Sequence, residues 1–239
     1  MVIHLISGPR NISTALMYSF ASRPDTRVAD EPFYASYLHR FPEVDHPGRE
    51  EVLTAQPTQP QQVVSLLRQK AAAAKHLFVK NMGHHLIGVE PAFMLGFTNV
   101  FLIRHPEPLI ASLAQIIPEP VLRDVALARQ AELFHYLTAH TGSTPVVIDS
   151  ETVLANPPRA LERLCSALDM AYTPAMLSWP RGAIFDPVPW ARWWYQNVMN
   201  STGFEKQPTS TRPFPERLRP LLEEALPYYH SLKKHAITL

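Results

Sequence analysis

The sequence predicts an α/β fold: a three-layer domain in which a mostly parallel, five-stranded sheet carries helices on both faces. The first observation behind this is a set of five short β-type runs, residues 3–6, 26–29, 77–80, 100–103 and 145–148, most of them separated by helical stretches. Strands alternating with helices read as βαβ units, whose crossovers cover both faces of a parallel sheet. The second is where the chemistry falls. The polar groups around Arg10, Glu31, Lys80 and Arg104 each follow one of these runs, and such sheets bind ligands beyond the carboxyl ends of their strands.

In chain order, Val2-Ile3-His4-Leu5-Ile6 is a short apolar run of the kind that makes a buried strand. Residues 7–14 form a turn holding Gly8 and Pro9, one cation (Arg10), and the hydroxyls of Ser13 and Thr14 where the helix over 15–20 begins. Arg23-Pro24-Asp25 turns into the second strand, which Asp30-Glu31-Pro32 ends. Residues 41–60 hold Pro42, Pro47, Pro57 and Pro60 and read as an irregular surface loop. A helix over 61–75 sets Val63, Val64, Leu66 and Leu67 on its apolar side, and the third strand runs into Asn81-Met82-Gly83-His84-His85.

The fourth strand ends at Arg104, and Pro106 opens the next helix, where a missing N–H costs nothing. One long helix is expected over 121–140, burying Leu122, Val125, Leu133, Phe134 and Leu137. The fifth strand leads to Asp149 and a helix over 158–168, whose apolar pattern of Leu161, Leu164, Cys165 and Leu168 gives the single cysteine a packing role. Residues 172–215 are dense in Pro and Trp and are expected to be irregular, either a lid over a pocket mouth or a covering layer on the sheet. A helix over 215–234 closes the fold. Residues 1–239 are read as a single domain.

Composition narrows the function classes. With 46% hydrophobic and 18% charged residues the chain is globular rather than disordered, and a net charge of +1 gives no bulk nucleic-acid surface. One cysteine excludes an intrachain disulfide and suits a reducing compartment. With neither a signal-peptide pattern nor a bilayer-length apolar run, a cytoplasmic location without membrane contact is expected. Any anion site is therefore local.

The turn at 7–14 is such a site. A strand, a tight turn and a helix N-terminus expose backbone N–H groups, and the helix dipole favours negative charge there. Arg10 adds a planar fork suited to phosphate or sulfate oxygens, and Ser13 and Thr14 add donors. It is not the usual nucleotide loop: no lysine occurs between residues 1 and 69. A second cation, Arg104, stands at a later strand end, with Ser112 eight positions on.

Taken together, Gly8, Pro9, Arg10, Ser13 and Thr14, then Arg104 and Ser112, resemble the sulfotransferases that use 3′-phosphoadenosine 5′-phosphosulfate (PAPS). That family has a strand-loop-helix of the form Gly-x-Pro-Lys/Arg-x-x-Thr/Ser-Thr for the 5′-phosphosulfate, and a later Arg and Ser for the 3′-phosphate. The resemblance covers roughly residues 2–150. It implies a P-loop nucleotide-binding type of fold and sulfuryl transfer to a hydroxyl or amine of a small-molecule acceptor, with no metal. It implies co-substrate binding by residues 8–14, Asn11 and Ile12 included, with Arg104 and Ser112, and Arg10 at the bridging oxygen. Asn11-Ile12 replaces the usual small residue and glycine. The C-terminal Arg-Lys-Gly loop has no clear match; residues 201–206 are the nearest stand-in.

An acceptor hydroxyl needs a general base. Glu31 lies where many members carry a catalytic Glu before Pro, and is preferred. His84, with His85 beside it, is second, because hormone-type members carry a histidine two positions after the lysine that Lys80 matches, and here the spacing is four or five. Lys80 is either a contact to the sulfuryl group or a solvated strand-end lysine. Two other readings stand beside this one: an ATP-dependent small-molecule kinase, which wants a loop lysine, and a non-catalytic nucleotide- or protein-binding member. A homodimer is compatible with all three.

Overall fold

The computed structural model describes residues 1–44, 46–185, 188–204 and 214–239. Five strands, β1 (Val2–Ser7), β2 (Thr26–Asp30), β3 (His76–Met82), β4 (Thr98–Ile103) and β5 (Val146–Asp149), form one sheet in the order β2-β3-β1-β4-β5. Every pairing is parallel. The chain runs from β1 out to β2, returns to lay β3 beside β1, then crosses to the other side for β4 and β5. That reversal makes the carboxyl ends of β1 and β4 the switch point at which such sheets take ligands.

The main helices are α1 (Ser13–Ala21), α2 (Tyr34–Arg40), α3 (Arg49–Ala55), α4 (Pro60–Ala72), α5 (Pro106–Leu113), α6 (Leu122–Val125) and α7 (Leu127–Thr141). They continue as α8 (Ser150–Ala155), α9 (Pro157–Ala167), α10 (Ala191–Trp194), α11 (Gln196–Met199) and α12 (Arg219–Lys233). None is long and apolar enough to cross a membrane.

The strands alternate between two cores, as a period of two dictates. Val2, Ile6, Val79, Phe101 and Ile103 face one, completed by α4, α5, α7 and α12. Ile3, Leu5, Phe78, Val100 and Leu102 face the other, completed by α1, α2 and α9. With both faces covered, all six residues of β1 are buried, and its apolar run follows from that.

Two expectations need correction. The helix expected over 121–140 is two, because Ala126 takes a left-handed conformation (φ 67°) between α6 and α7. The apolar pattern runs through the break unchanged, so periodicity could not reveal it. The break folds α6 over the strand ends: a Cβ built on Gly8 would lie 2.9 Å from the Val125 carbonyl oxygen, and one on Gly83 would lie 3.3 Å from Ala126 Cβ.

The loop expected at 41–60 contains α3, because Val52 reaches the core and anchors a turn of helix. Gly48, at φ 74°, opens that helix and leaves room for the Trp193 ring, which a Cβ there would strike. The described part of 172–215 is a packed layer. An antiparallel bridge joins Ser178 to Gly203, and Trp190 is buried against the second core. Of the stretch 201–206, Ser201 accepts a hydrogen bond from Trp179 Nε1 (3.3 Å) and Gly203 makes the bridge, both structural contacts, whereas Glu205 and Lys206 lie outside the described residues.

The Gly8 contact has a measurable consequence. Gly8→Ala forces α6 away from the loop and is expected to cost about 1–3 kcal/mol of stability in urea unfolding. Gly96→Ala, where a Cβ meets nothing within 4 Å, should stay within about 0.5 kcal/mol of the parent.

Candidate active site

Side chains from four strand ends gather along the carboxyl edge of the sheet, in two groups. The cationic group sits at the switch point. Past β1 the loop turns sharply, and Arg10 adopts φ 52°. This turns its carbonyl toward β4, where the Arg104 guanidinium donates a hydrogen bond to it. Arg10 Nε donates to Ser112 Oγ on α5 at 2.9 Å. Asn11 latches the loop: its Nδ2 donates to the Leu102 carbonyl (3.3 Å), and its Oδ1 accepts from the Ile12 N–H (2.9 Å).

Ser13 and Thr14 stand at the start of α1, yet no side chain caps that helix, whose N-cap is Ile12. Its first-turn N–H groups are therefore left for another acceptor. Burial lowers both guanidinium groups below the ordinary arginine range, and Arg10 lowers Arg104 further; both stay cationic at any working pH. Among the described residues neither has a carboxylate within ion-pair distance.

The second group lies across β2 and β3. Register sets Asp30 beside Lys80. Glu31 follows at φ 41°, held there because its N–H donates to the Lys80 carbonyl (2.8 Å) and its own carbonyl accepts from Gln56 Nε2 (3.0 Å). Lys80 is 0% exposed. Its Nζ donates to Asp30 Oδ1 (2.9 Å), Glu31 Oε1 (2.6 Å) and the Tyr195 hydroxyl (2.6 Å). A solvated lysine is thus corrected to a fully committed one.

Burial alone would lower the Lys80 pKa, but Asp30 and Glu31 outweigh it and hold the ammonium above the usual lysine range. Burial pushes the Glu31 carboxyl up and Asp30 adds to it, against the pull of Lys80.

Of the two histidines after β3, the structure brings His85 to the carboxylates and not His84. His85 Nδ1 stands 3.7 Å from Glu31 Oε2, with its ring stacked on Tyr34 at 4.2 Å. His84 packs against Tyr37 and His85 instead. The cause is the 3₁₀ turn Gly83–Leu86: at three residues per turn, consecutive side chains point about 120° apart. Burial first, then nearby positive groups, lowers His84 to about 3 and His85 well below its ordinary value. Both rings are neutral at pH 7, so the His85–Glu31 approach is not an ion pair.

Sequence reasoning passed over Asp30, Tyr195 and Trp190 as site residues, and it paired His85 with His84 as the second candidate base. Asp30 had a signal, since it ends the same strand as Glu31. Tyr195 had none beyond the aromatic density of its segment. A separate cavity of about 700 Å³, lined by Ile87, Leu122, Arg123, Arg129 and Tyr228 among others, includes none of Arg10, Glu31, Lys80 or Arg104.

Comparison with known proteins places these groups in context. The family model for the sulfotransferase domain matches residues 1–236. Two relatives from Arabidopsis thaliana, branched-chain-amino-acid aminotransferase-like proteins 1 and 2, are 35% and 33% identical over 235 residues, covering 98% of this chain and 42% of each relative. The chain thus spans about two-fifths of the length of these curated relatives. The fold is shared with the sulfotransferase domain of the Synechococcus PCC 7002 olefin synthase (TM-score 0.54, 14% identity, 93% of each chain covered). It is shared too with a sulfotransferase from Alicyclobacillus acidocaldarius (TM-score 0.53, 12% identity, 98% of this chain and 96% of that one).

Removing the shared cation tests the carboxylate group. Lys80→Met strands two buried carboxylates and should cost about 3–5 kcal/mol at pH 7. Without Lys80 the burial that already pushes the Glu31 carboxyl up is unopposed, so its penalty is complete above its folded value and vanishes below its unfolded one. Urea melts at pH 7 and pH 5 should therefore show the deficit shrinking with acid. An equal deficit at both would mean that the carboxylates do not depend on Lys80.

Proposed function

The chain belongs to the sulfotransferase domain family, and from that premise we propose that it transfers a sulfuryl group from PAPS to a hydroxyl or amine of a small-molecule acceptor. The observation that carries this reading is the pair Arg10 and Arg104, two cations joined at the switch point without a carboxylate partner among the described residues. A nucleotide phosphorylated at both ends of its ribose matches two cationic positions, and the loop has no lysine of the kind an ATP-binding loop uses. When bound, PAPS supplies an activated sulfuryl group and leaves 3′-phosphoadenosine 5′-phosphate (PAP).

The residues divide the work. The uncapped N–H groups of α1, with Gly8 and Pro9 turning the backbone toward them and Ser13 and Thr14 beside them, hold the 5′ end. Arg10 stabilises charge on the bridging oxygen. Arg104 and Ser112 hold the 3′-phosphate. Glu31, whose carboxyl is pushed up by burial, takes the proton of the acceptor, a role that favours a pKa nearer the working pH. Lys80 has spent all three protons on Asp30, Glu31 and Tyr195, so it orients the base and is not a sulfuryl contact. His84, which packs against Tyr37 and His85, is given no proton-transfer role.

Two measurements test this assignment. Arg104→Ala should weaken PAP binding by about thirty-fold, roughly 2 kcal/mol, and leave adenosine 5′-phosphosulfate nearly unaffected; equal losses in calorimetry would make Arg104 structural. Glu31→Gln should keep PAP affinity while lowering PAPS turnover by about a hundred-fold or more. Full activity in Glu31→Gln would move the base elsewhere.

A further inference from the structure

A phenol offers one proton and two lone pairs, and Tyr195 uses all of them. Its proton goes to Asp30 Oδ2 at 2.6 Å, and its oxygen accepts from Lys80 Nζ at 2.6 Å and Trp190 Nε1 at 3.1 Å. Asp30 is thus held on both oxygens, by Lys80 on one (2.9 Å) and Tyr195 on the other (2.6 Å). Glu31 is held on one. Its Oε1 takes Lys80 at 2.6 Å, with the Tyr195 hydroxyl a distant second at 3.4 Å; among the described residues no hydrogen bond reaches its Oε2, and the neutral His85 ring stands 3.7 Å from it.

Two carboxylates in a water-excluded pocket share one ammonium, so a proton bound there goes to the less well-held of the two. We propose that Tyr195 is a positioning residue that keeps Asp30 ionised, so that proton exchange falls on Glu31, and that Trp190 holds Tyr195 to that task. The inference rests on the reading of Glu31 as the base. It gives the Pro/Trp-rich segment a part in the chemistry: the layer that covers the strand ends also decides which carboxylate exchanges the proton.

Several other groups face the pair. Lys80 comes from β3, His85 from the turn that follows it with His84 behind, Tyr34 from α2 and Tyr18 from α1. His46 approaches from the α2–α3 connection, where it contacts Tyr34 and Trp194. None of these donates to Asp30 Oδ2, the bond that Tyr195 supplies.

Isotope-edited carboxyl NMR on the full chain reads this directly, with Asp30→Asn and Glu31→Gln assigning the two signals. In the parent, Glu31 should titrate while Asp30 stays flat. In Tyr195→Phe, Asp30 loses a donor and competes for the proton, so both signals should move together. Their midpoint should rise by about one pH unit, a tenfold gain in proton affinity. The acidic limb of PAPS turnover, where the base is lost to protonation, should move up with it.

A Glu31 signal that titrates identically in Tyr195→Phe and the parent overturns the inference, as does an Asp30 signal that titrates in the parent. Should Tyr195→Phe not fold, Trp190→Phe decides, with the same direction and a smaller shift expected and no shift contradicting. Calorimetry with PAP on the parent separates the two levels: absence of PAP binding defeats the nucleotide reading, whereas the carboxyl titration judges Tyr195 alone.

Discussion

An ammonium group with no access to water must find an acceptor for each of its three protons, and Lys80 finds them on two distant parts of the chain, the adjacent Asp30 and Glu31 and the far Tyr195. Taking such an ion out of water costs several kcal/mol, recovered only when the partners are in place with good geometry. The ends of β2 and β3 and the segment carrying Tyr195 are therefore held in one arrangement. The same cluster explains why Glu31 tolerates a left-handed backbone: its N–H, carbonyl and carboxylate are all engaged by Lys80 or Gln56. Two carboxylates against one ammonium leave one negative charge in excess, and in a buried setting that excess raises the proton affinity of the less well-held carboxyl.

The second constraint is spacing. β1 lies between β3 and β4, so the Lys80 end and the Arg104 end are two strand spacings apart, on the order of 10 Å. Asp30 and Glu31 are thereby kept from pairing with Arg10 and Arg104. Adjacent strands would have let the four charges neutralise one another. The net charge of +1 over 239 residues conceals this local division, which the strand order alone creates. The loop after β1, fastened to β4 through Asn11 and Arg104, sits on the cationic side of the boundary.

How much of this the sequence disclosed follows from the range of the interactions. The sheet was legible because apolar runs and the polar residues after them are local signals, and parallel strands bring all such residues to one edge whatever the strand order. That Arg10 and Arg104 meet followed from the same logic together with the family resemblance. The break at Ala126 was not legible, since a small residue in a left-handed turn leaves the apolar period intact. The choice between His84 and His85 turns on the phase of a single 3₁₀ turn, and spacing to Lys80 does not encode it. Tyr195 lies more than a hundred residues from Lys80, in a segment whose composition announces aromatic packing and nothing about which ring reaches the strand ends.

The central claim is a site built for a nucleotide with a 3′-phosphate, and ligand-dependent thermal unfolding tests it most directly. With each nucleotide at about a hundred times an expected micromolar Kd, binding to the folded state alone adds about 2.7 kcal/mol, or roughly 5–10 °C in a chain of this size. PAP should give a shift of that order, and ADP, which lacks the 3′-phosphate, should give little. A shift with ADP or ATP equal to or larger than that with PAP would contradict the account.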